Sequence, residues 1–316
     1  MAHHVGFFTY LRLKVIVTLL RGLLVVQGYL PLRRDRLLAQ KIPVHRERVR
    51  IPSRDPARFI DAYLYHPPSP SSGPAPVVVN WHGSGWVFPL LGSDELYCRR
   101  IAHEASIYVL DADYRKAPEN PYPGPLNDVE DALRWVGLQS SRFDPARVAL
   151  SGFSAGAHLA LVAASALRKS LAQLHLTIVA VVAHYPETDL SAEPETKTVP
   201  APIRPHPHAM LHFFHDCFVP DKDLRTDPKV SPSRADPAEF PPHVIMLTAS
   251  GDVFSPEAVE LAAKLDDGRR TVVVKTLADV HHGFDKGAQR GTKEWDRREE
   301  AYEVVVKSLK DALQVS

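Results

Sequence analysis

Gly152-Phe153-Ser154-Ala155-Gly156 is the stretch of this 316-residue chain with the most chemistry in it. Val148, Ala149 and Leu150 precede it as a short apolar run that reads as a buried strand, and an Ala/Leu-rich helical pattern follows at once. Strand, sharp turn, helix is the context that makes G-x-S-x-G meaningful. It forces the serine into a strained backbone conformation with its hydroxyl above the sheet. Gly152 and Gly156 belong there because side chains would collide with neighbouring backbone. The competing reading is a serine that only caps the following helix. The two are separated by whether the remaining parts of a hydrolytic site follow in order.

A nucleophilic serine needs a base to take its proton, an acid to orient that base, and N–H donors where negative charge will form. In the chain order Ser–Asp–His, acid and base stand after two later strands. Asp252 follows the apolar run 244–249, and His281 and His282 follow the run 271–277. Periodicity alone does not choose between the two adjacent histidines. Asp279 is also near, but an aspartate so close in the same loop reads as a turn former. Asp111 and Asp113, after an earlier strand, read as loop-holding groups. His82-Gly83-Ser84-Gly85-Trp86 directly follows the run 76–81. Gly83 and Gly85 let that loop pass close to a bound acyl group, and the N–H groups of Ser84 and Gly85 can turn inward. The N–H of Ala155, at the start of the helix after the serine, is a third donor where the helix dipole also favours an anion.

The elements that carry these groups alternate. RVRIPS and FIDAYLY read as two antiparallel strands at a sheet edge, and 66–76 as a loop. Strands at 76–81, 107–111, 148–150, 177–183 and 244–249 are mainly apolar, as strands buried on both faces are, and 271–277 reads as a further strand. Helical patterns lie between them, at 93–104, 125–138, 155–169, 256–265 and 292–313. The fold class is therefore α/β, a doubly wound, mostly parallel sheet, with the polar motifs at the carboxyl ends of the strands where such sheets build sites. Residues 187–241 break the rhythm, being proline-rich with one apolar helix near 209–218, and read as an insertion forming a lid. The domain reading is N-terminal cap helices in 1–44, a catalytic domain in 45–186 and 242–316, and a cap insertion in 187–241.

Lys and Arg number 38 against 37 Asp and Glu, so no overall field draws nucleic acid, which is excluded as a partner. Cys98 and Cys217 form no disulfide framework and fit a reducing, cytoplasmic compartment. Residues 5–30 are apolar and helical in period, with Lys14, Thr18 and Arg21 as a narrow polar stripe. The uncharged stretches 15–20 and 22–32 are too short to span a bilayer, and no signal cleavage site follows. A cap helix packed on the body requires least. A helix lying in a membrane interface, giving peripheral membrane association, is the other reading.

His206, His208, His212, His215 and Asp216 have spacings that a metal could use, but polar histidines on a cap helix explain them more simply, and no metal is expected. Trp86, Tyr185, Phe213 and Phe214 are candidates to line an acyl pocket under the cap.

Taken together, H-G-S-G-W, D-Y-R-x-A-P-E, G-x-S-A-G, Gly251-Asp252 and H-G-F resemble the hormone-sensitive-lipase-like branch of the α/β-hydrolase fold. The likeness runs from about residue 45 to the C-terminus and most resembles the fungal esterases and lipases. That resemblance implies Ser154 as nucleophile, Asp252 as acid, His282 (the histidine before Gly-Phe) as base, and Ser84, Gly85 and Ala155 as oxyanion donors. It also implies a cap from the N-terminus and the insertion, no cofactor, and a small-molecule ester of short to medium acyl length as substrate. A homodimer is a further expectation. Three positions depart from the family pattern: Ser84 where H-G-G-G has glycine, Phe153 where its main groups carry Asp/Glu or Thr, and Ala157 where glycine often follows S-A-G. Trp86 also makes an H-G-x-x-W pattern similar to kynurenine formamidases, so an aryl-formamidase is the alternative enzyme. A ligand receptor of the same fold is the non-catalytic alternative, and an intact Ser154, Asp252 and His282 weigh against it.

Overall fold

The computed structural model describes residues 6–69 and 73–315, with residues 25–29 as backbone only. Residues 1–5, 70–72 and 316, which fall in the expected N-terminal segment, the loop 66–76 and the C-terminal end, lie outside the described residues.

A single helix, α1 (Phe7–Ala39), leads into strands β1 (Arg46–Pro52), β2 (Phe59–Tyr65) and β3 (Ala75–Trp81). Then follow α2 (Glu95–Glu104), β4 (Tyr108–Ala112), α3 (Gly124–Leu138), β5 (Phe143–Phe153), α4 (Ala155–Ala164), α5 (Arg168–Ala172) and β6 (Ile178–His184). The chain closes with α6 (His208–Phe218), β7 (His243–Ala249), α7 (Ser255–Leu265), β8 (Thr271–Leu277) and α8 (Lys293–Leu313).

The eight strands form one sheet in the order β1-β2-β4-β3-β5-β6-β7-β8. β2 is antiparallel to both β1 and β4, and every later pairing is parallel. The chain is thus an α/β-hydrolase fold with a helical cap, as the strand pattern and motifs lead one to expect. The central strands are mainly apolar because both faces are covered. Val77, Val79 and Trp81 pack in the layer that holds α3 and α4, while Val78 packs in the opposite layer with α2 and α8. Trp81 pairs with Gly152, Phe153 with His184, His184 with Leu247, and Ala249 with Leu277. The carboxyl ends of five strands therefore finish level. The loops that leave them, which carry residues 82–86, Ser154, Asp252 and His282, open on one side.

Two helices differ from the sequence expectation. The sequence reads as helical over 5–30, within a 1–44 segment of cap helices, whereas one helix, α1, continues through Pro31 to Ala39. The turns after the proline are held from outside: Arg34 Nη1 donates to the Gly287 carbonyl (2.5 Å), Asp35 accepts from the Gly287 N–H (2.5 Å), and Asp35 pairs with buried Arg298 (3.2 Å). The helix after Ser154 stops at Ala164, where Ser165 Oγ donates to the Leu161 carbonyl (2.7 Å) and the chain turns before α5.

Candidate active site

The turn between β5 and α4 holds Ser154 at φ 51° and ψ −118°, a strained conformation for a residue with a side chain. Close approach makes both flanking glycines necessary. A Cβ on Gly152 would lie 2.4 Å from the Gly156 backbone, and one on Gly156 would lie 1.9 Å from the Trp81 carbonyl oxygen. α4 packs that tightly against the end of β3, and the packing thrusts Ser154 out of the turn.

His282 Nε2 lies 2.8 Å from Ser154 Oγ, and His282 Nδ1 lies 2.7 Å from Asp252 Oδ2. Asp252 is buried and its other oxygen accepts the Phe254 N–H (3.1 Å), so the carboxylate is fixed in the loop after β7. Burial disfavours an imidazolium at His282, but the Asp252 carboxylate and its hydrogen bond outweigh that and hold the pKa above the ordinary 6.5. His281 turns the other way: Nδ1 meets its neighbour's carbonyl (2.7 Å) and Nε2 meets Arg204 (3.1 Å). Asp279 is exposed and faces Lys293. Of the two histidines and the two aspartates the sequence offers in these loops, the fold brings together His282 and Asp252.

The residue 82–86 loop passes beside the serine. A Cβ on Gly83 would meet the Phe153 carbonyl at 3.0 Å and Ser154 Cβ at 3.3 Å. Positive φ falls on Gly85 (53°) and Trp86 (61°) and not on Ser84, which explains how a serine takes the place of a glycine. Its hydroxyl lies 2.5 Å from the Tyr114 hydroxyl, and Tyr114 donates to the His82 carbonyl (2.9 Å). Asp113 meets His82 Nε2 (3.1 Å), and Tyr114 stacks on the His82 ring. The D-Y-R motif is thus the brace of the loop, with its arginine in turn held by buried Asp128 (2.8 Å). Among the described residues no acceptor takes the N–H of Ser84, Gly85 or Ala155. Three donors near one serine suit an oxyanion.

Phe153, another departure, is wholly buried and stacks on His184 with ring centroids 4.1 Å apart, under the Lys286 ammonium at 3.5 Å. An aromatic here belongs to a buried aromatic cluster and does not reach the site. Ala157 is buried in α4.

A cavity of about 420 Å³ opens above Ser154. Its walls are mostly apolar, and include Leu20 and Leu24 of α1, and Met210 and Phe214 of α6. Trp86 and Tyr185 line it too, whereas Phe213 packs on Phe214 with ring centroids 5.9 Å apart and does not. The histidines of the insertion scatter. His206 lies over His282 (centroids 5.1 Å), His208 is exposed, His212 faces Glu195 (2.9 Å), and His215 is buried on Glu187 (2.8 Å). They do not converge on one centre.

Sequence reasoning missed two arrangements. Glu187, on the cavity wall, pairs with Lys197 (2.8 Å) and His215, all three buried, and Lys197 also pairs with the half-buried Glu257 (2.7 Å). Burial alone would raise the Glu187 pKa, but the His215 and Lys197 charges hold it well below the carboxylate range. Glu119 closes a second cluster, accepting from Lys14 and from Arg21 (2.5 and 3.0 Å) across the α1 boundary. An unpaired acid in D-Y-R-x-A-P-E and the Lys14/Arg21 stripe were the available signals, but nothing in either segment names the other.

Residues 78–286 match the alpha/beta hydrolase fold family. The chain is 30% identical over 234 residues to the carboxylic ester hydrolase LipN of Mycobacterium tuberculosis, covering 72% of this chain and 62% of LipN. It is 30% identical over 226 residues to the versiconal hemiacetal acetate esterase of Aspergillus parasiticus, covering 69% and 68% of the two chains. The likeness is therefore not particular to fungal members. Among solved structures, the thermophilic carboxylesterase EstE1 from a metagenomic library superposes with a TM-score of 0.77 at 27% identity, over 91% of this chain and 97% of its own. With its fold, its motifs and these relatives in agreement, the chain belongs to the hormone-sensitive-lipase-like esterase family of the α/β hydrolases.

Proposed function

We propose that this chain is a serine carboxylesterase acting on short- to medium-chain acyl esters, with Ser154 as nucleophile, His282 as base and Asp252 as its orienting acid. The observation that carries the reading is the unbroken chain from Ser154 Oγ to His282 Nε2 (2.8 Å) and from Nδ1 to Asp252 (2.7 Å). Beside it stand three N–H groups without acceptors among the described residues.

Ser154 attacks the ester carbonyl as its proton passes to His282 Nε2, and Asp252 stabilises the imidazolium that forms. The oxyanion lies against the N–H groups of Ser84, Gly85 and Ala155, with the close pass of Gly83 setting the loop's distance from the serine. The imidazolium gives its proton to the departing alcohol, leaving an acyl-enzyme. Water, activated by the same histidine, releases the acid by the reverse route. Every group needed for charge and proton movement belongs to the chain itself. A cavity near the lower end of the range of about 300–1,000 Å³ typical of small-molecule sites suits acyl groups of modest length.

Hydrolysis of p-nitrophenyl esters from acetate to palmitate, run beside Ser154→Ala, tests the reading. Rates highest from acetate to octanoate and absent in the variant are expected. Equal near-background rates in both proteins overturn it, and a parallel assay on N-formyl-kynurenine then separates the formamidase alternative.

A further inference from the structure

α1 is about 50 Å long at the usual rise per residue and lies on the body along one side only. Its inner side buries Leu13 and Val17 and presents Leu20 and Leu24 to the cavity. The outer side is the anomaly. Phe8, Val15, Leu19, Leu23, Leu30 and Leu37 recur at steps of four and seven, and each is between 50% and 83% exposed. Six exposed apolar side chains along one face of a single helix are far from the scattered exposed leucines of an ordinary soluble surface.

The charges along it share one sign. Arg12 lies one turn from Phe8, and Arg33 one turn from Leu37; both are exposed, as are Arg36 and Lys41 at the C-terminal end. Asp35 is the sole acid between residues 7 and 39, and it is buried on Arg298. Long cationic side chains at the margin of an apolar helix face can extend their stems along it and keep their heads in a polar layer. A second copy of the helix would meet the same charges: antiparallel pairing that overlaps the whole stripe sets Arg12 of one molecule opposite Arg33 of the other. An anionic lipid surface supplies what both features lack, an apolar layer under a sheet of negative charge.

We propose that the outer face of α1 is a peripheral docking surface for anionic lipid bilayers, with the stripe Phe8–Leu37 in the acyl boundary and Arg12, Arg33, Arg36 and Lys41 on the phosphates. No helix among the described residues is long and apolar enough to cross a membrane, so the contact is in the plane of the interface. Because the inner side of the same helix walls the cavity, docking holds the cavity about one helix diameter, roughly 10 Å, from the lipid surface.

Vesicle flotation tests this without reference to catalysis. The full chain is mixed with vesicles of phosphatidylcholine, with or without 30 mol% phosphatidylglycerol. The expected result is flotation with the anionic vesicles at least tenfold above the neutral ones, weakened by salt. The triple variant Leu19→Glu, Leu23→Glu, Leu30→Glu, whose side chains lie outside the cavity wall, is expected to stay at the bottom while keeping its thermal midpoint. Arg12→Gln with Arg33→Gln is expected to lose only the preference for phosphatidylglycerol. A wild-type chain that floats with neither vesicle overturns the proposal. So does a wild-type dimer in analytical ultracentrifugation that the triple variant converts to monomer, which would assign the stripe to self-association.

Discussion

The hydroxyls of Ser84 and Tyr114 lie 2.5 Å apart inside the protein, and Tyr114 donates its own hydrogen bond to the His82 carbonyl at 2.9 Å. The serine that interrupts the family's glycine run is therefore tied, through a tyrosine from a different strand end, to the first residue of its own loop. Tyr114→Phe keeps the ring on His82 but strands two buried polar groups, at a cost of about 1–3 kcal/mol. We expect kcat for p-nitrophenyl butyrate to fall roughly tenfold with KM little changed, because the loss is in placement of the oxyanion donors. Ser84→Gly, which needs no such partner, is expected to keep kcat within about threefold, and steady-state kinetics on both variants checks the pair.

The pH profile depends on His282. Burial works against its protonation, but Asp252 and, more distantly, Glu187 and Asp285 prevail, so its pKa lies above 6.5. Only the neutral ring accepts the Ser154 proton. The acid limb of kcat/KM should therefore lie above that of an ordinary histidine. Asp252→Asn removes the main stabiliser of the imidazolium, so the limb should move to lower pH while kcat falls by about 10⁴-fold.

The same shift has a stability sign. A folded-state pKa raised above the unfolded value means that the imidazolium–carboxylate pair contributes fully below about pH 6.5 and loses that contribution as pH rises through the folded value. Thermal scans of Ser154→Ala between pH 5 and 9 should show this trend, and adding Asp252→Asn should flatten it.

Glu119 joins α1 to the body. Burial pushes its pKa up, but the Arg21 and Lys14 hydrogen bonds outweigh that and lower it to about 2. The carboxylate's contribution is thus present above about pH 4.5 and lost as pH falls towards 2. Arg21 also donates to the carbonyls of Val87 (2.9 Å) and Ala117 (3.0 Å), next to the 82–86 loop. Glu119→Gln should leave the body folded, speed limited proteolysis within residues 7–39, and raise KM more than it lowers kcat, because Leu20 and Leu24 wall the cavity.

Glu187 is the carboxylate that stays ionised between Lys197 and His215, well inside the protein. Glu187→Gln keeps the shape and removes the charge. It should cost about 3 kcal/mol, read as a lower midpoint in urea with an unchanged slope.

Local physics made much of this molecule legible in its sequence. Two-sided burial writes apolar runs such as 76–81 and 244–249, and level strand ends put His82, Ser154, Asp252 and His282 in adjacent loops. A glycine at 152 or 156 states a contact too close for any side chain. What the tertiary structure alone decided depends on partners far apart along the chain. Adjacent His281 and His282 have the same composition and the same loop; only the positions of Asp252 and Arg204 turn one inward and the other out. α1 runs past Pro31 because Gly287 and Arg298 hold its last turns, and Ser84 is tolerated because Tyr114 receives it. Glu187, Lys197 and His215 come from the irregular 187–241 insertion and Glu257 from α7, so no periodicity in the sequence announces their pairing. Periodicity reports which side of an element is buried, and only the folded chain determines what it is buried against.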